Sequence, residues 1–310
     1  NSRQFQTSVL ELERMPQFGV GVGPQSDLNV EETGANFVNL RSLGINRTLV
    51  LVNGMRRVSA SFTTSAFDLS SIPANMVHRV EVITGGAAAV YGADAVSGAV
   101  NILLKDDVDG LELDTRQGIS SRGDAYTYSY GAMLGGAIGD RGRFTIGASY
   151  THDDPVHYNK RGFSREWQVT LPNPADTGPN DGIFDNIVYS GSRFPGTAYG
   201  GNFNIGGTAY TYDGGVRPIQ NGGPTFFGFW ATGGGDGFNV ADFGYLVRES
   251  FSGSALAHVA YDISDDITFT SDLHFAQSGG ILSSQPWCCQ LANITNDNPL
   301  LPSDVKALMD

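Results

Sequence analysis

Residues Val77 to Lys105 read VHRVEVITGGAAAVYGADAVSGAVNILLK, and this stretch decides how the rest of the chain is interpreted. It begins with β-branched residues that alternate with polar ones, among them Val80 and Val82, which predicts a strand. A second apolar run, Ala99 to Leu104, has the same character. The glycines and alanines between the two runs predict a compact hinge, because glycine allows turns that a Cβ would crowd.

Two further blocks precede this stretch: NLRSLGINRTLVLVNG at Asn39 to Gly54, and DLSSIP at Asp68 to Pro73. Within the first block, Leu49 to Val52 predicts a short buried strand and Asn53-Gly54 predicts a tight turn. In this order and at this spacing, the three blocks closely resemble the plug domain of TonB-dependent outer-membrane receptors. A dinucleotide-binding site is the competing interpretation of the glycines, but no G-x-G-x-x-G follows the strand.

The resemblance implies an α+β plug domain inside a transmembrane antiparallel β-barrel, with about 22 strands in a complete plugged transporter. It also implies a function: capture of a scarce external ligand, such as a metal-siderophore, cobalamin or an oligosaccharide, and its import into the periplasm. The implied partners are the TonB energy-transducing complex and the lipid of the bacterial outer membrane. No cofactor is required and no catalytic group is implied. Two alternatives remain: a non-transporting receptor or adhesin on the same barrel, and a secreted β-rich carbohydrate-binding protein.

On this interpretation residues 1–107 are a plug domain that lacks its N-terminal end, and residues 108–310 are the first part of the barrel. A short helix is predicted from Ser8 to Met15, before Pro16. The first residue is not Met and no apolar leader follows, so we expect any signal peptide to have been removed or left out of this sequence. Long extracellular loops are expected at about residues 151–245 and 281–310.

Five segments after residue 108 alternate between apolar and polar residues, which is typical of half-buried strands. They are about ten residues or more in length, as a tilted crossing of a bilayer requires. The turns at residues 139–142 and 264–266 are short, whereas the connection at 151–245 is long, as in outer-membrane barrels. On the polar sides we expect Glu112, Asp114, Arg116 and Arg143 to face the barrel interior, and Leu113 and Ile146 to face lipid.

The composition agrees with an envelope protein of β type. The chain has 310 residues, 41 of them glycine, with 16% charged residues and a formal net charge of −13. A nucleic-acid-binding protein needs a basic face, so this balance argues against nucleic acid as a partner. There is no apolar run of about 18 residues, so no membrane-spanning helix is predicted.

Candidate site residues fall into two groups. Loop position and the resemblance assign ligand contact at the plug apices and external loop to Gln25, Asn29, Asn46, Arg57, Phe62, Tyr212, Phe227 and Trp230. Charges enclosed by a barrel must be paired to offset desolvation, so contacts between plug and barrel are assigned to Arg41, Arg47, Arg79 and Glu81. Close packing is expected at four hinge glycines, Gly85, Gly86, Gly92 and Gly98.

Two other features suggest metal or redox chemistry in the loops. Oxygen-bearing residues at Asp176, Asn180, Asp181 and Asp185 surround a glycine and are candidates for a structural Ca²⁺ site, although a turn rich in Asp and Asn is the simpler interpretation. Cys288 and Cys289 are adjacent, and an oxidising envelope favours disulfides, with each other or with partners elsewhere.

Overall fold

A computed structural model of the chain describes residues 17–19, 34–59, 64–220, 222, 225–226, 230–231, 235–283 and 294–310. The chain divides into two compact units. The first comprises residues 1–156 and 247–282, and the second, here called the loop unit, comprises residues 157–246 and 283–310. The helix predicted at Ser8 to Met15 and the two cysteines lie outside the described residues.

The N-terminal domain, up to residue 107, contains a four-stranded mixed sheet in the order β2-β1-β4-β3. Its strands are β1 (Thr48–Val52), β2 (Met55–Arg56), β3 (Val77–Ile83) and β4 (Gly98–Leu104). β1 and β4 run parallel, and β3 is antiparallel to β4. Asn53 and Gly54 connect β1 to β2 with φ angles of 50° and 76°, as a type I′ turn requires. The strands and the turn predicted here are confirmed.

The hinge between β3 and β4 differs from the prediction. It contains a short helix, α1 (Ala87–Tyr91), flanked by Gly86 with a φ of 71° and Gly92 with a φ of 86°. Within the described part of the chain, a Cβ added at Gly85, Gly86 or Gly92 would meet no atom within 4 Å apart from those of its chain neighbours, so the close packing expected at these three positions is not found there. Gly86 and Gly92 are instead required by their left-handed backbone. Only at Gly98 would a Cβ collide, with the Ile83 carbonyl oxygen and the Leu40 side chain.

The five predicted barrel strands form one antiparallel sheet, here called the wall sheet, in the order β20-β19-β7-β6-β5. Its strands are β5 (Gly110–Gly118), β6 (Thr127–Ile138), β7 (Gly142–Asp153), β19 (Glu249–Ser264) and β20 (Ile267–Ile281). Within this sheet the strands pair in chain order, and β7 pairs with β19 across the long connection. β7, β19 and β20 are 12 to 16 residues long. The alternating pattern therefore predicted both their number and their order.

The two faces of the wall sheet differ in chemistry. One face is exposed and apolar: Leu113, Leu273 and Phe275 are 73%, 75% and 69% exposed. The other face lies against the N-terminal domain. Glu112 is 3.8 Å from the Lys105 ammonium group, and the Arg143 guanidinium donates to the Asp106 carbonyl at 3.2 Å. These contacts put Glu112 and Arg143 on the face directed toward the N-terminal domain, as predicted.

The connection between β7 and β19 folds into short strands rather than one irregular loop. Its described strands are β8 (Val156–His157), β9 (Gln168–Pro172), β10 (Asn186–Ser190), β11 (Phe194–Ala198), β12 (Asn202–Ile205), β13 (Thr208–Tyr212), β14 (Val216–Pro218), β15 (Thr225–Phe226), β16 (Trp230–Ala231), β17 (Gly237–Phe238) and β18 (Tyr245–Val247). Most are paired as small antiparallel sheets, such as β9 with β10 and β12-β13-β14. Near the end of the chain, α2 (Ser303–Met309) also belongs to the loop unit.

Short 3-10 helices connect several of these elements; they span Ile45–Arg47, Leu69–Ser71, Ala74–Met76, Ala93–Ala95, Tyr158–Lys160 and Val240–Asp242. No helix among the described residues is both long and apolar enough to cross a membrane.

Candidate functional site

The contact between the N-terminal domain and the wall sheet has an apolar centre. Met76, at the end of the 3-10 helix before β3, is fully buried and belongs to one hydrophobic cluster with Met133 of β6 and Leu256 of β19. Gly147 of β7 leaves room for Met76, since a Cβ at this glycine would collide with the methionine side chain. Burying side chains of this size contributes about 1.5 to 3 kcal/mol each.

A charged cluster lies at the same contact; it consists of Arg57, His258 and Asp272 and is here called the Asp272 cluster. The Arg57 guanidinium is 2.5 Å from one Asp272 carboxylate oxygen, and His258 Nδ1 is 2.6 Å from the other. The side chains of Arg57 and Asp272 are only 19% and 7% exposed. A carboxylate so far from water must be compensated by a nearby cation, and Arg57 supplies it from the N-terminal domain.

The block DLSSIP forms the third part of this contact. Asp68 begins the 3-10 helix Leu69–Ser71 by accepting from the Ser70 amide at 2.9 Å. The Ser278 hydroxyl of β20 donates to its second carboxylate oxygen at 3.0 Å. His274 Nε2, on the same strand, lies 2.6 Å from the Ser71 carbonyl oxygen. One carboxylate thus shapes a local turn and also binds the wall sheet.

The residues that make these contacts are not those assigned to the role from sequence. Arg41 donates to the Thr84 carbonyl at 3.0 Å, and Arg79 pairs with Glu81 at 3.0 Å, so these described partners lie within the N-terminal domain. Arg47 is exposed. Contact of these four residues with other parts of a wall stays a prediction.

Arg57, which the sequence assigns to ligand contact, is bound to Asp272, a residue 215 positions away; its contact with a ligand stays a prediction. Sequence reasoning missed this pairing because separation along the chain gives no signal for it. The available signal was the charge of Asp272 on the polar side of β20, where neighbouring positions such as Thr268 and Thr270 are uncharged.

The other predicted ligand residues are distributed between both units. Asn46 accepts hydrogen bonds from Thr64 and from the Ser65 amide, so its oxygen holds the adjacent loop. Tyr212 is half-buried in β13 of the loop unit. The remaining predicted residues lie outside the described part of the structure: Gln25, Asn29, Phe62, Phe227 and the side chain of Trp230.

The acidic turn at residues 176–185 is held by its own hydrogen bonds. Asp181 accepts from the Thr177 amide at 2.8 Å, and its other oxygen accepts from the Ile183 amide at 2.8 Å. These donors, the Thr177 amide first, hold the pKa of Asp181 below its usual value. Asp176 accepts from the Gly178 amide at 2.9 Å. Within the described residues, no three His, Cys, Asp or Glu side chains come together as a metal site.

The loop unit also has a tightly bound ion pair. The Arg217 guanidinium donates to both oxygens of Asp236, at 2.7 and 2.8 Å, and the Gln220 amide adds a third hydrogen bond at 2.7 Å. The Arg217 guanidinium, together with the Gln220 amide, lowers the pKa of Asp236 to about 2. These bonds connect β14 to Asp236, the residue before β17.

Comparison with known proteins gives one family and several solved structures. Residues 3–99 match the model of the TonB-dependent receptor plug domain. A variant of the ferric enterobactin receptor of Pseudomonas aeruginosa in complex with enterobactin is 16% identical, with a TM-score of 0.41 over 89% of this chain and 48% of that one.

Two further solved structures are similar. The siderophore receptor PirA of Pseudomonas aeruginosa is 14% identical, with a TM-score of 0.35 over 87% of this chain and 42% of that one. The ferric yersiniabactin uptake receptor FyuA of Yersinia pestis is 13% identical, with a TM-score of 0.35 over 89% and 39%. The chain therefore spans less than half the length of these three proteins.

Proposed function

We propose that this chain, whose residues 3–99 are a TonB-dependent receptor plug domain, is the N-terminal part of an active transporter of the bacterial outer membrane. The proposed activity is capture of a scarce external ligand and its import into the periplasm. The proposed partners are the TonB complex on the periplasmic side and outer-membrane lipid around the wall. The family is one of receptors and transporters, so we assign no catalytic step.

The observation that supports transport most directly is the chemistry of the contact between the plug domain and the wall sheet. Its apolar centre, around Met76, is small, and much of the rest is polar: the Asp272 cluster and the bonds of Asp68 and Ser71. Each hydrogen bond or ion pair of this kind contributes a net stabilisation of only about 0.5 to 3 kcal/mol, because water can replace either partner. A plug held in this way can be released when water enters the contact.

The opposite face of the same sheet supports a lipid environment. Leu113, Leu273 and Phe275 would leave a broad apolar surface in contact with water if the protein were a soluble module. A bilayer removes that cost. The secreted carbohydrate-binding alternative is therefore the weaker one.

Transport requires the plug to move, so tethering it should stop uptake. A Cβ at Gly147 would lie against Met76 Cγ, one bond from the Met76 Cβ, so the two Cβ atoms are within about the 3.5 to 4.5 Å that a disulfide needs. We therefore propose Met76→Cys with Gly147→Cys in the full-length receptor, in a background where Cys288 and Cys289 are serine. Met76→Cys alone is the matched control.

Growth-linked uptake would be measured across ferric siderophores, cobalamin and oligosaccharides, first to identify a substrate and then to compare the variants. The oxidised double variant is expected to bind the substrate at the cell surface but not to import it, and a reductant should restore import. Import at the normal rate with the disulfide intact would refute a moving plug. A receptor that imports none of these ligands in its native form would favour the adhesin alternative.

A further inference from the structure

The loop unit contains a polar hollow of about 510 Å³. Its lining comes from four places along the chain: the 3-10 helix Tyr158–Lys160, the segment at Arg165 and Glu166, the region of β11, and the 3-10 helix Val240–Asp242 with its capping residue Asn239. The hollow therefore brings together polar side chains that are up to 83 positions apart, from 159 to 242.

The floor of the hollow is held rigidly by Asn239, which is 6% exposed. Its amide oxygen accepts from the Trp167 backbone amide at 3.0 Å, and its amide nitrogen donates to the Arg165 carbonyl at 2.8 Å. Its own backbone amide donates to the Tyr199 hydroxyl at 3.1 Å. Because a buried amide with these bonds cannot rotate freely, it fixes the backbone at Arg165 and Trp167 before any ligand arrives.

Tyr199 and Asp242 form the second fixed pair. The phenol donates a hydrogen bond to the Asp242 carboxylate. Burial, and then this bond, raise the pKa of Tyr199, so the phenol keeps its proton and the carboxylate keeps its partner. The aromatic rings of Phe194, Phe238 and Phe243 pack nearby, with Phe238 only 1% exposed.

Some of the charged side chains that line the hollow are paired, and others are not. Five of the lining side chains are charged, three of them cationic. Glu166 is paired with Arg193 at 2.9 Å, and Asp242 is bound by Tyr199. Lys160 and Arg165 are exposed, and within the described part of the chain neither has a carboxylate at ion-pair distance. In a chain with a net charge of −13, two unengaged cations thus converge on one prepared hollow.

We propose that this hollow is an oxyanion-binding site, in which Lys160 and Arg165 donate charge-assisted hydrogen bonds to carboxylate or phosphate oxygens of a small soluble ligand. Such bonds are about twice as strong as neutral ones, and Arg can hold two oxygens at once. The inference rests on the proposed function, because it assigns the captured ligand a chemical class. A neutral oligosaccharide would leave both cations without a partner.

The test is calorimetric titration of the purified full-length receptor, without the TonB complex, with citrate, pyrophosphate and maltotriose as probes. Citrate and pyrophosphate are expected to bind and maltotriose is not. Lys160→Gln and Arg165→Gln should each weaken anion binding about tenfold, as loss of one charge-assisted bond predicts. Arg122→Gln is the matched control, because Arg122 is exposed in the turn between β5 and β6 and outside the hollow.

Three outcomes would overturn the proposal. One is no anion binding by the native receptor, and another is equal affinity in the Arg165 and Arg122 variants. The third is binding to the phosphates of lipid A micelles without any binding of soluble citrate or pyrophosphate, which would make the partner a lipid headgroup. All three are measured without transport, so they are distinct from failure of the tethering experiment, in which binding is retained and import is tested.

Discussion

Removal of one charge from the Asp272 cluster should loosen the plug domain in a measurable way. Breaking a buried ion pair by deleting one partner costs about 3 to 5 kcal/mol when the other charge is left alone. After Arg57→Gln, His258 still binds the Asp272 carboxylate at 2.6 Å. We therefore expect a smaller cost of about 2 kcal/mol, which is roughly 30-fold in an opening equilibrium.

Asp272→Asn should cost more, about 3 kcal/mol, because it leaves the Arg57 guanidinium without its counter-ion in a site where the side chain is 19% exposed. The two changes together should cost less than their sum by at least about 1 kcal/mol, since neither charge is then left alone. Hydrogen exchange of peptides from β1 and β4, in the full-length receptor in detergent, measures these openings directly.

The neighbouring Arg56 provides a matched control. It pairs with Asp94, and the two side chains are 47% and 55% exposed. Because water already screens this pair, Arg56→Gln should change exchange less than about fivefold. If Arg56→Gln and Arg57→Gln accelerate exchange equally, or if the effects of Arg57→Gln and Asp272→Asn are simply additive, the Asp272 cluster does not hold the plug domain to the wall sheet.

Three further predictions concern the wall, the hinge and the loop unit. Leu113→Arg should reduce the fraction of receptor that migrates as the heat-resistant folded form on gels, because a lipid-facing arginine near the midplane costs about 2 to 4 kcal/mol. The Asp114→Asn variant should fold normally, and equal folded fractions for the two variants would contradict the assignment of the two faces. Gly98→Val should abolish energised uptake at normal surface abundance, because the new Cβ collides with the Ile83 backbone. Gly92→Ala should destabilise the plug domain by only about 1 to 2 kcal/mol, through the positive φ at this position, and should retain partial uptake. A greater loss of uptake in the Gly92 variant than in the Gly98 variant would refute this prediction. Because the pKa of Asp236 is lowered in the folded protein, its ion pair stabilises the loop unit at pH values above the ordinary pKa of 3.8, and this stabilisation is lost as the pH falls toward about 2. Cleavage by pepsin near Asp236 should therefore become faster as the pH is lowered through this range. The Asp236→Asn variant should be cleaved rapidly at every pH in the range.

The wall sheet was the most predictable part of this protein. Its strands alternate over most of their length, with Met133 and Leu256 as apolar exceptions on the inward face. The period of two residues therefore predicts both the strands and their inward faces. The same holds for β1 and its turn, because Asn53-Gly54 is a local signal. Where the hydrophobic pattern and the turn residues agree, they are sufficient to predict the strands and the turns between them.

The remaining features depend on packing that the sequence does not show. The hinge helix α1 has only five residues, too few for a helical period, and its alanines are compatible with several conformations. The role of Arg57 depends on a residue 215 positions away. The loop unit is built from strands of two to five residues, each too short for alternation to distinguish it from an irregular loop.

The parallel pairing of β1 with β4 determines how the N-terminal domain resists a pulling force. β4 leads within six residues into β5 of the wall, so its C-terminal end is anchored. A force that pulls on the chain ahead of Thr48 would act along β1 and away from that anchor. Because the two strands run side by side from Thr48 and Gly98 to Val52 and Ile102, such a force loads all of their hydrogen bonds together in shear. The β3–β4 pair is antiparallel, and the same traction would unzip it one bond at a time from its end at Val77 and Leu104. The strand nearest the source of force is thus in the orientation that resists tearing, so traction would displace the plug from the wall before it separated β1 from β4.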